Sequence, residues 1–314
     1  MNVLVTGGAG FIGSHVVERL LARGDAVTVV DDFNDFYDPA LKRRNAAVFA
    51  ERARVVEADI RGALPAGKYE VIVHLAARAG VRPSLAQPKL YTDVNVAGTQ
   101  NVLEFARQTG VKKFVFASSS SVYGTNQKVP FSEADPIFNP ISPYAATKLA
   151  GEALCHVYHH LYRLDVVCLR FFTVYGPRQR PDLSIYKFTR AMTRGEPVEV
   201  YGDGSARRDF TYIDDILQGV VACVERELGF EIINLGESRT VSVNELVRLL
   251  EKELGRPADV RRLPAQPGDV PITHADITKA KRLLGYEPRV PIEAGIARFV
   301  EWFKQQHQNE ERQR

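Results

Sequence analysis

Through the first 170 residues, short unbroken apolar runs alternate with stretches of helical period. Asn2-Val3-Leu4-Val5-Thr6 is apolar to its end and stops at glycines, the pattern of a strand buried on both faces. Residues 14–23 then place Val16, Val17, Leu20 and Leu21 on one stripe, which Gly24 ends. The same reasoning predicts strands over residues 26–30, 54–58, 71–75, 113–117 and 166–170, and helices over 94–109 and 144–162. Strands separated by helices form right-handed crossovers and a parallel sheet covered on both faces. The predicted class is therefore α/β, a Rossmann-type doubly wound sheet whose ligand lies beyond the carboxyl ends of its strands.

After Arg170 the rhythm breaks, and prolines from Pro177 to Pro291 crowd shorter elements. Residues 231–235 still read as a strand that rejoins the main sheet, and 243–254 as a helix ended by Gly255. The expected organisation is a dinucleotide-binding domain over 1–170, with a returning segment at about 211–238. A smaller interleaved α/β substrate lobe takes 171–210 and 239–307, and 308–314 is a frayed polar tail.

Composition narrows the class further. The 314 residues are 45% apolar and 25% charged, which excludes a disordered chain. The net charge of +3 comes from scattered side chains, not from the basic stripe that a nucleic-acid partner requires. No apolar run approaches the ~20 residues of a membrane span. A strand beginning at Asn2 leaves no room for a signal peptide. Cys155, Cys168 and Cys223 are odd in number and sit in apolar stretches, as buried free thiols do in a reducing compartment. A soluble cytoplasmic protein is expected.

The first turn carries the first chemistry. Gly7-Gly8-Ala9-Gly10-Phe11-Ile12-Gly13 joins a strand to a helix, and both GxxGxxG and GxGxxG can be read from it. Glycines permit the tight turn and let backbone N–H groups approach a diphosphate, and the helix N-terminus adds partial positive charge. Asp31, 24 residues beyond Gly7, ends the second strand where an acid binds the adenosine ribose hydroxyls. Asp31 and the following Asp32 repel a 2′-phosphate, so NAD is favoured over NADP. Asp59, followed by Ile60, is placed to face the adenine.

The second constellation is Ser142-Pro143-Tyr144-Ala145-Ala146-Thr147-Lys148. Ser142 suits a helix N-cap and Pro143 the first helical position. Tyr144 and Lys148, four apart, share one helix face. A free tyrosine is a poor base at neutral pH, but a neighbouring ammonium favours its phenolate. Upstream, Ala117-Ser118-Ser119-Ser120-Ser121 ends a strand at the same sheet edge. Together these features predict an NAD-dependent redox site acting on an alcohol. His156 and His160 are spaced to share a zinc ion, but no further ligand accompanies them and no metal is expected.

The glycine turn, the Ser119…Tyr144-x-x-x-Lys148 set and the chain length resemble the extended short-chain dehydrogenase/reductase family from Met1 to about Phe303. Within it the chain is most similar to nucleotide-sugar 4-epimerases, nearest to those acting on UDP-glucuronate. The resemblance implies Ser119 as catalytic hydroxyl, Tyr144 as base and Lys148 as its partner, which also holds the nicotinamide ribose. It lays Leu75, Ala76, Ala77 and Asn95 along the cofactor, and it pairs helices 94–109 and 144–162 of two copies in a homodimer.

It also separates reactions. Dehydrating relatives carry Asp-Glu directly after the catalytic hydroxyl, and decarboxylating ones a Glu two residues before the tyrosine of VYG. Here those positions are Ser120 and Ser121, so β-elimination lacks its acid/base and simple epimerisation remains. The segment from Asp32 to Asp38, Thr173 in place of the usual Asn, and Gln266 in place of the Arg of glucose-type enzymes resemble the glucuronate branch. The resemblance implies that Ser120, Ser121 and Thr173 hydrogen-bond the uronate carboxylate and that Arg82 adds positive charge for it. Arg208 would meet the diphosphate of the UDP-sugar, Asp269 the uridine ribose with Arg180 nearby, and Tyr201 the uracil. Arg78 stands where that branch carries Gln. The alternatives are a UDP-glucose 4-epimerase, then a UDP-xylose synthase or a non-catalytic NAD-binding scaffold.

Overall fold

The computed structural model describes residues 1–265 and 269–312, and for 307–312 the backbone only. In chain order the strands are β1 (Asn2–Thr6), β2 (Ala26–Asp31), β3 (Arg54–Glu57), β4 (Val71–His74), β5 (Lys113–Ser119) and β6 (Asp165–Phe171). They continue as β7 (Thr173–Tyr175), β8 (Val198–Tyr201), β9 (Arg207–Tyr212), β10 (Phe230–Leu235), β11 (Thr240–Ser242) and β12 (Val260–Leu263).

Seven of them form one parallel sheet in the order β3-β2-β1-β4-β5-β6-β10. Alternate residues explain why its strands read as unbroken apolar runs. Val3 and Val5 join one buried cluster with Val73 and Val115, while Leu4 joins a second with Ile72 and Phe114. Both faces are covered, so both sets of positions must be apolar. Strand order reverses between β1 and β4, which opens a crevice at their carboxyl ends.

Two predicted helix starts differ in an informative way. The first helix is Phe11–Ala22, beginning three residues before the apolar stripe, because Gly10 serves as N-cap and the glycine turn feeds straight into it. The helix predicted over 94–109 opens as a π-helical turn, Asp93–Gly98, and becomes α-helical only over Thr99–Thr109. The long helix is Pro143–Tyr162, capped by Ser142, whose hydroxyl accepts the Ala145 N–H at 3.1 Å. The Val243–Leu254 helix carries a reciprocal cap between Ser242 and Glu245 and ends at Gly255.

Beyond β6 the smaller sheets appear. β9 pairs in parallel with β7 and antiparallel with β11, and β8 pairs in parallel with β12. β10 returns to the edge of the main sheet against β6. The polar tail is a correction: the last helix is Ile292–Arg312, since the good helix formers Glu, Gln, Lys and Arg carry it on past its buried apolar face. Cys155, Cys168 and Cys223 are buried and unpaired. Among the described residues no helix is long and apolar enough to cross a membrane.

Candidate functional site

The crevice between β1 and β4 widens into one long cleft, and its inner end is built on the glycine turn. Gly7 has φ +72°, and a Cβ there would stand 2.7 Å from the Ala76 nitrogen. A Cβ on Gly13 would stand 2.1 Å from the Gly7 carbonyl. The turn therefore packs backbone on backbone and leaves the start of the Phe11–Ala22 helix bare. No side chain caps that helix and no acid occupies its first turn, so Phe11 and Ile12 face the cleft with free N–H groups. Such a terminus fits a diphosphate.

Asp31, buried at the end of β2, accepts the Ala9 N–H at 3.1 Å and the Phe33 N–H at 3.0 Å. Burial pushes its carboxyl up, against the pull of Lys42. Lys42, a buried amine that the sequence reading passed over, lies 4.0 Å from both Asp31 and Asp32. No hydrophobic or motif signal marks it; the Pro39–Ala47 helix that follows β2 brings it there. Asp59 and Ile60 line the cleft, but the Asp59 carboxylate is bound by Arg61 at 2.5 Å, so its backbone is what it offers a ligand. Leu75, Ala76 and Ala77 line the opposite wall. These residues fit a dinucleotide with free ribose hydroxyls.

Asn95 is a correction. It does not reach the cleft: its side chain is buried on the Arg78 backbone and on Thr147 Oγ1, and it braces the cleft wall from behind. The π-helical turn is what aims it there.

At the middle of the cleft Ser119 closes β5, and Tyr144 and Lys148 stand one turn apart on the Pro143–Tyr162 helix. Ser121 donates to Ser119 Oγ from its nitrogen at 3.2 Å and its hydroxyl at 2.9 Å. With its oxygen so occupied, Ser119 has its own proton free for the neighbouring Tyr144 hydroxyl, whose pKa it pulls down. Burial holds Tyr144 above its ordinary pKa, opposed first by that hydrogen bond and then by the charge of Arg180. Lys148 donates to the Ala117 carbonyl at 2.6 Å, and its nitrogen is 5.9 Å from the Tyr144 ring centre. Burial brings Lys148 down to about 8. The ammonium expected to favour the phenolate thus faces a carbonyl, and the cation acting on Tyr144 in the chain alone is Arg180.

Beneath Lys148 lies an arrangement that no motif announced. Glu152 accepts Ser118 Oγ at 2.6 Å and holds Arg170 at 2.9 and 2.8 Å, all three groups being buried. The pair fixes the end of β5 to the helix that carries Tyr144.

At the outer end Ser120, Ser121 and Thr173 line the cleft together with Arg180, Arg208 and Asp269. Arg180 holds Asp182 through two bonds of 2.9 Å, and Asp269 is paired with Arg82 at 2.7 Å. The charge of Arg180 also acts on Tyr144. Arg82 is turned from the uronate position: it stacks over the Tyr201 ring at 4.2 Å, and neither side chain lines the cleft. Arg208 is mostly buried, which lowers its pKa, and Asp269 opposes that shift. Gln266 lies outside the described residues.

A glycine turn at a sheet's switch point, an acid closing β2 and a Ser–Tyr–Lys set define a dinucleotide-dependent site for redox chemistry on a hydroxyl group. The model of the NAD dependent epimerase/dehydratase family matches residues 3–236, and the chain belongs to that family. A UDP-glucuronate 4-epimerase of Thermodesulfobacterium geofontis is 46% identical over 311 residues, 96% of each chain. The structure of a Bacillus cereus UDP-glucuronic acid 4-epimerase in complex with UDP-glucuronic acid and NAD is 38% identical. It matches with a TM-score of 0.92, covering 98% of this chain and 100% of that one. A UDP-glucose 4-epimerase of Thermotoga maritima, solved with UDP-glucose, is 36% identical with a TM-score of 0.89, over 98% and 100% of the chains.

Proposed function

We propose that this chain is an NAD-dependent epimerase that interconverts UDP-glucuronate and UDP-galacturonate at C4 of the sugar. The observation that carries the reading is the make-up of the cleft around Tyr144. Ser119, Ser120, Ser121 and Thr173 present hydroxyls there, and no described lining residue from Ala117 to Leu183 is an acid. Hydroxyl donors hold a carboxylate without adding a general base.

In this reading Tyr144 takes the proton of the C4 hydroxyl, and Ser119 holds that hydroxyl in line. The chain of donors from Ser121 through Ser119 to the phenol oxygen stabilises the phenolate that receives the proton. Bound NAD supplies the hydride acceptor that returns hydride to either face of C4. Arg180 adds positive charge beside Tyr144, and Arg208 and Asp269 hold the nucleotide remote from C4, so the sugar can turn while the UDP stays bound. Ser120 and Thr173, whose hydroxyls are not committed to Ser119, keep the carboxylate of the keto intermediate from aligning for loss of carbon dioxide.

The organisation follows the same division. Residues 1–170 with the segment near 211–238 take the cofactor, and 171–210 with 239–307 take the nucleotide sugar. Two copies pair through the long helix, whose Val157, Leu161 and Tyr162 are 44, 60 and 49% exposed, too apolar a surface to leave in water. Three free thiols support a cytoplasmic protein.

The test is product analysis by NMR after incubation with UDP-glucuronate and, separately, UDP-glucose, with no NAD added. UDP-galacturonate from the first and little turnover of the second is expected. UDP-galactose as main product would move the chain to the glucose-type enzymes, and UDP-xylose to the decarboxylases.

A further inference from the structure

Arg78 follows β4 on the cleft wall, and its backbone is fixed from behind. Asn95 Oδ1 accepts the Arg78 N–H at 2.7 Å, and Asn95 Nδ2 donates to the Arg78 carbonyl at 2.9 Å. The same amide reaches Thr147 Oγ1 at 3.0 Å, on the helix of Tyr144 and Lys148. The wall that carries Arg78 is thus tied to the catalytic helix.

The guanidinium, by contrast, has nothing to hold. Among the described residues Arg78 makes no ion pair, and its Nε is buried with no hydrogen-bond partner. The other two arginines of the cleft differ: Arg180 holds Asp182, and Arg208 donates to the Arg207 carbonyl at 2.9 Å. A buried N–H without an acceptor is costly, here the Nε of a half-buried guanidinium, and a ligand oxygen that meets it removes the cost.

Its place along the cleft says which ligand oxygen. On one side of Arg78 the Ala76 nitrogen packs against Gly7 of the glycine turn, and on the other the Ala79 carbonyl accepts the Tyr91 hydroxyl at 2.5 Å; its charge also acts on Lys42 and Asp59 at the acidic inner end. The Tyr91 ring meets that of Tyr144 edge-on, with centres 6.3 Å apart. Arg78 therefore stands between the carboxylates that suit the adenosine ribose and the phenol where the chemistry occurs. The part of a dinucleotide that spans those two places is its diphosphate bridge.

We infer that Arg78 binds a phosphate of the dinucleotide's diphosphate bridge, as the side-chain counterpart of the free N–H groups at the start of the Phe11–Ala22 helix. The inference rests on the reading that this cleft holds NAD. A guanidinium gives the site a forked, permanently charged donor that a glutamine at the same position lacks.

The test uses cofactor-free wild type, Arg78→Gln and Arg78→Lys, titrated calorimetrically with NAD, ADP, adenosine and UDP at two salt concentrations. The NAD carried by each protein as purified is measured alongside. Arg78→Gln is expected to weaken ADP and NAD by ~10- to 100-fold, to leave adenosine and UDP unchanged, and to reduce the salt dependence of ADP binding. Arg78→Lys, which keeps the charge and loses Nε, should fall between, and circular dichroism should show both variants folded. Equal losses for adenosine and ADP would make Arg78 a structural residue of the wall and overturn the inference. So would unchanged ADP affinity, or a loss for UDP in place of ADP. Wild type that binds neither NAD nor ADP would refute the cofactor reading and this inference together, whereas tight wild-type binding with an unchanged variant would refute this one alone.

Discussion

The two ends of the cleft are chemical opposites. The inner end sets carboxylates of Asp31 and Asp32 in the wall, attended by the cation of Lys42. The catalytic end sets hydroxyls of Ser119, Ser120, Ser121 and Thr173 in the wall, and the one acid among the described lining residues beyond them, Asp269, is paired with Arg82. Each end complements its proposed ligand. Acceptors stand where a ribose offers hydroxyls, and hydroxyl donors stand where a uronate offers a carboxylate. The contrast also limits the chemistry, because a wall without a second acid or base can move the C4 proton and little else.

The contrast can be broken most severely at Tyr144. Tyr144→Phe should lower kcat by ~10³- to 10⁴-fold, with UDP affinity by calorimetry unchanged; a variant that kept its activity would revive the non-catalytic scaffold. At the inner end Asp31→Ser should weaken NAD by ~10- to 100-fold and raise the affinity for NADP, read by titrating cofactor-free protein. At the catalytic end Thr173→Val should raise KM for UDP-glucuronate by up to ~10-fold or release decarboxylated side product, both visible by NMR. No change in either would count against the hydroxyl-held carboxylate.

The smallest expected effect is on pH. Burial lowers Lys148 to about 8, so the fraction carrying the ammonium falls as pH rises through that value. If that ammonium holds the nicotinamide ribose, NAD affinity of cofactor-free protein should be full well below pH 8 and about halved at it. Lys148→Arg, which keeps its charge, should flatten the profile.

The inner end was far more legible than the outer one, for a physical reason. Its parts lie within one strand–turn–helix unit and the strand after it, so local pattern alone marks Gly7, Gly13 and Asp31. β1 and the Val243–Leu254 helix have the predicted limits because unbroken apolar runs and end caps are local signals. Contacts across long separations were not visible. Asp269 meets Arg82 from 187 residues away, and Glu152 meets Arg170 through a buried pair that has no period of its own. Asn95 was implied on the cofactor by the family resemblance alone, whereas its amide is spent on the Arg78 backbone and Thr147. Lys42, on the Pro39–Ala47 helix, and Arg180, on the loop after β7, acquire their roles only from the chain fold that brings them to the cleft.

The claim that the catalytic end moves one proton and one hydride at C4, and nothing at C5, can be tested directly. UDP-glucuronate is incubated with the enzyme in deuterium oxide, and the UDP-galacturonate is examined by NMR and mass spectrometry. The account requires product with no deuterium at C4 or C5, because the hydride removed from C4 is the one returned and no group stands ready to remove the C5 proton. Deuterium at C5 would show a second base at work in this wall and would contradict the account.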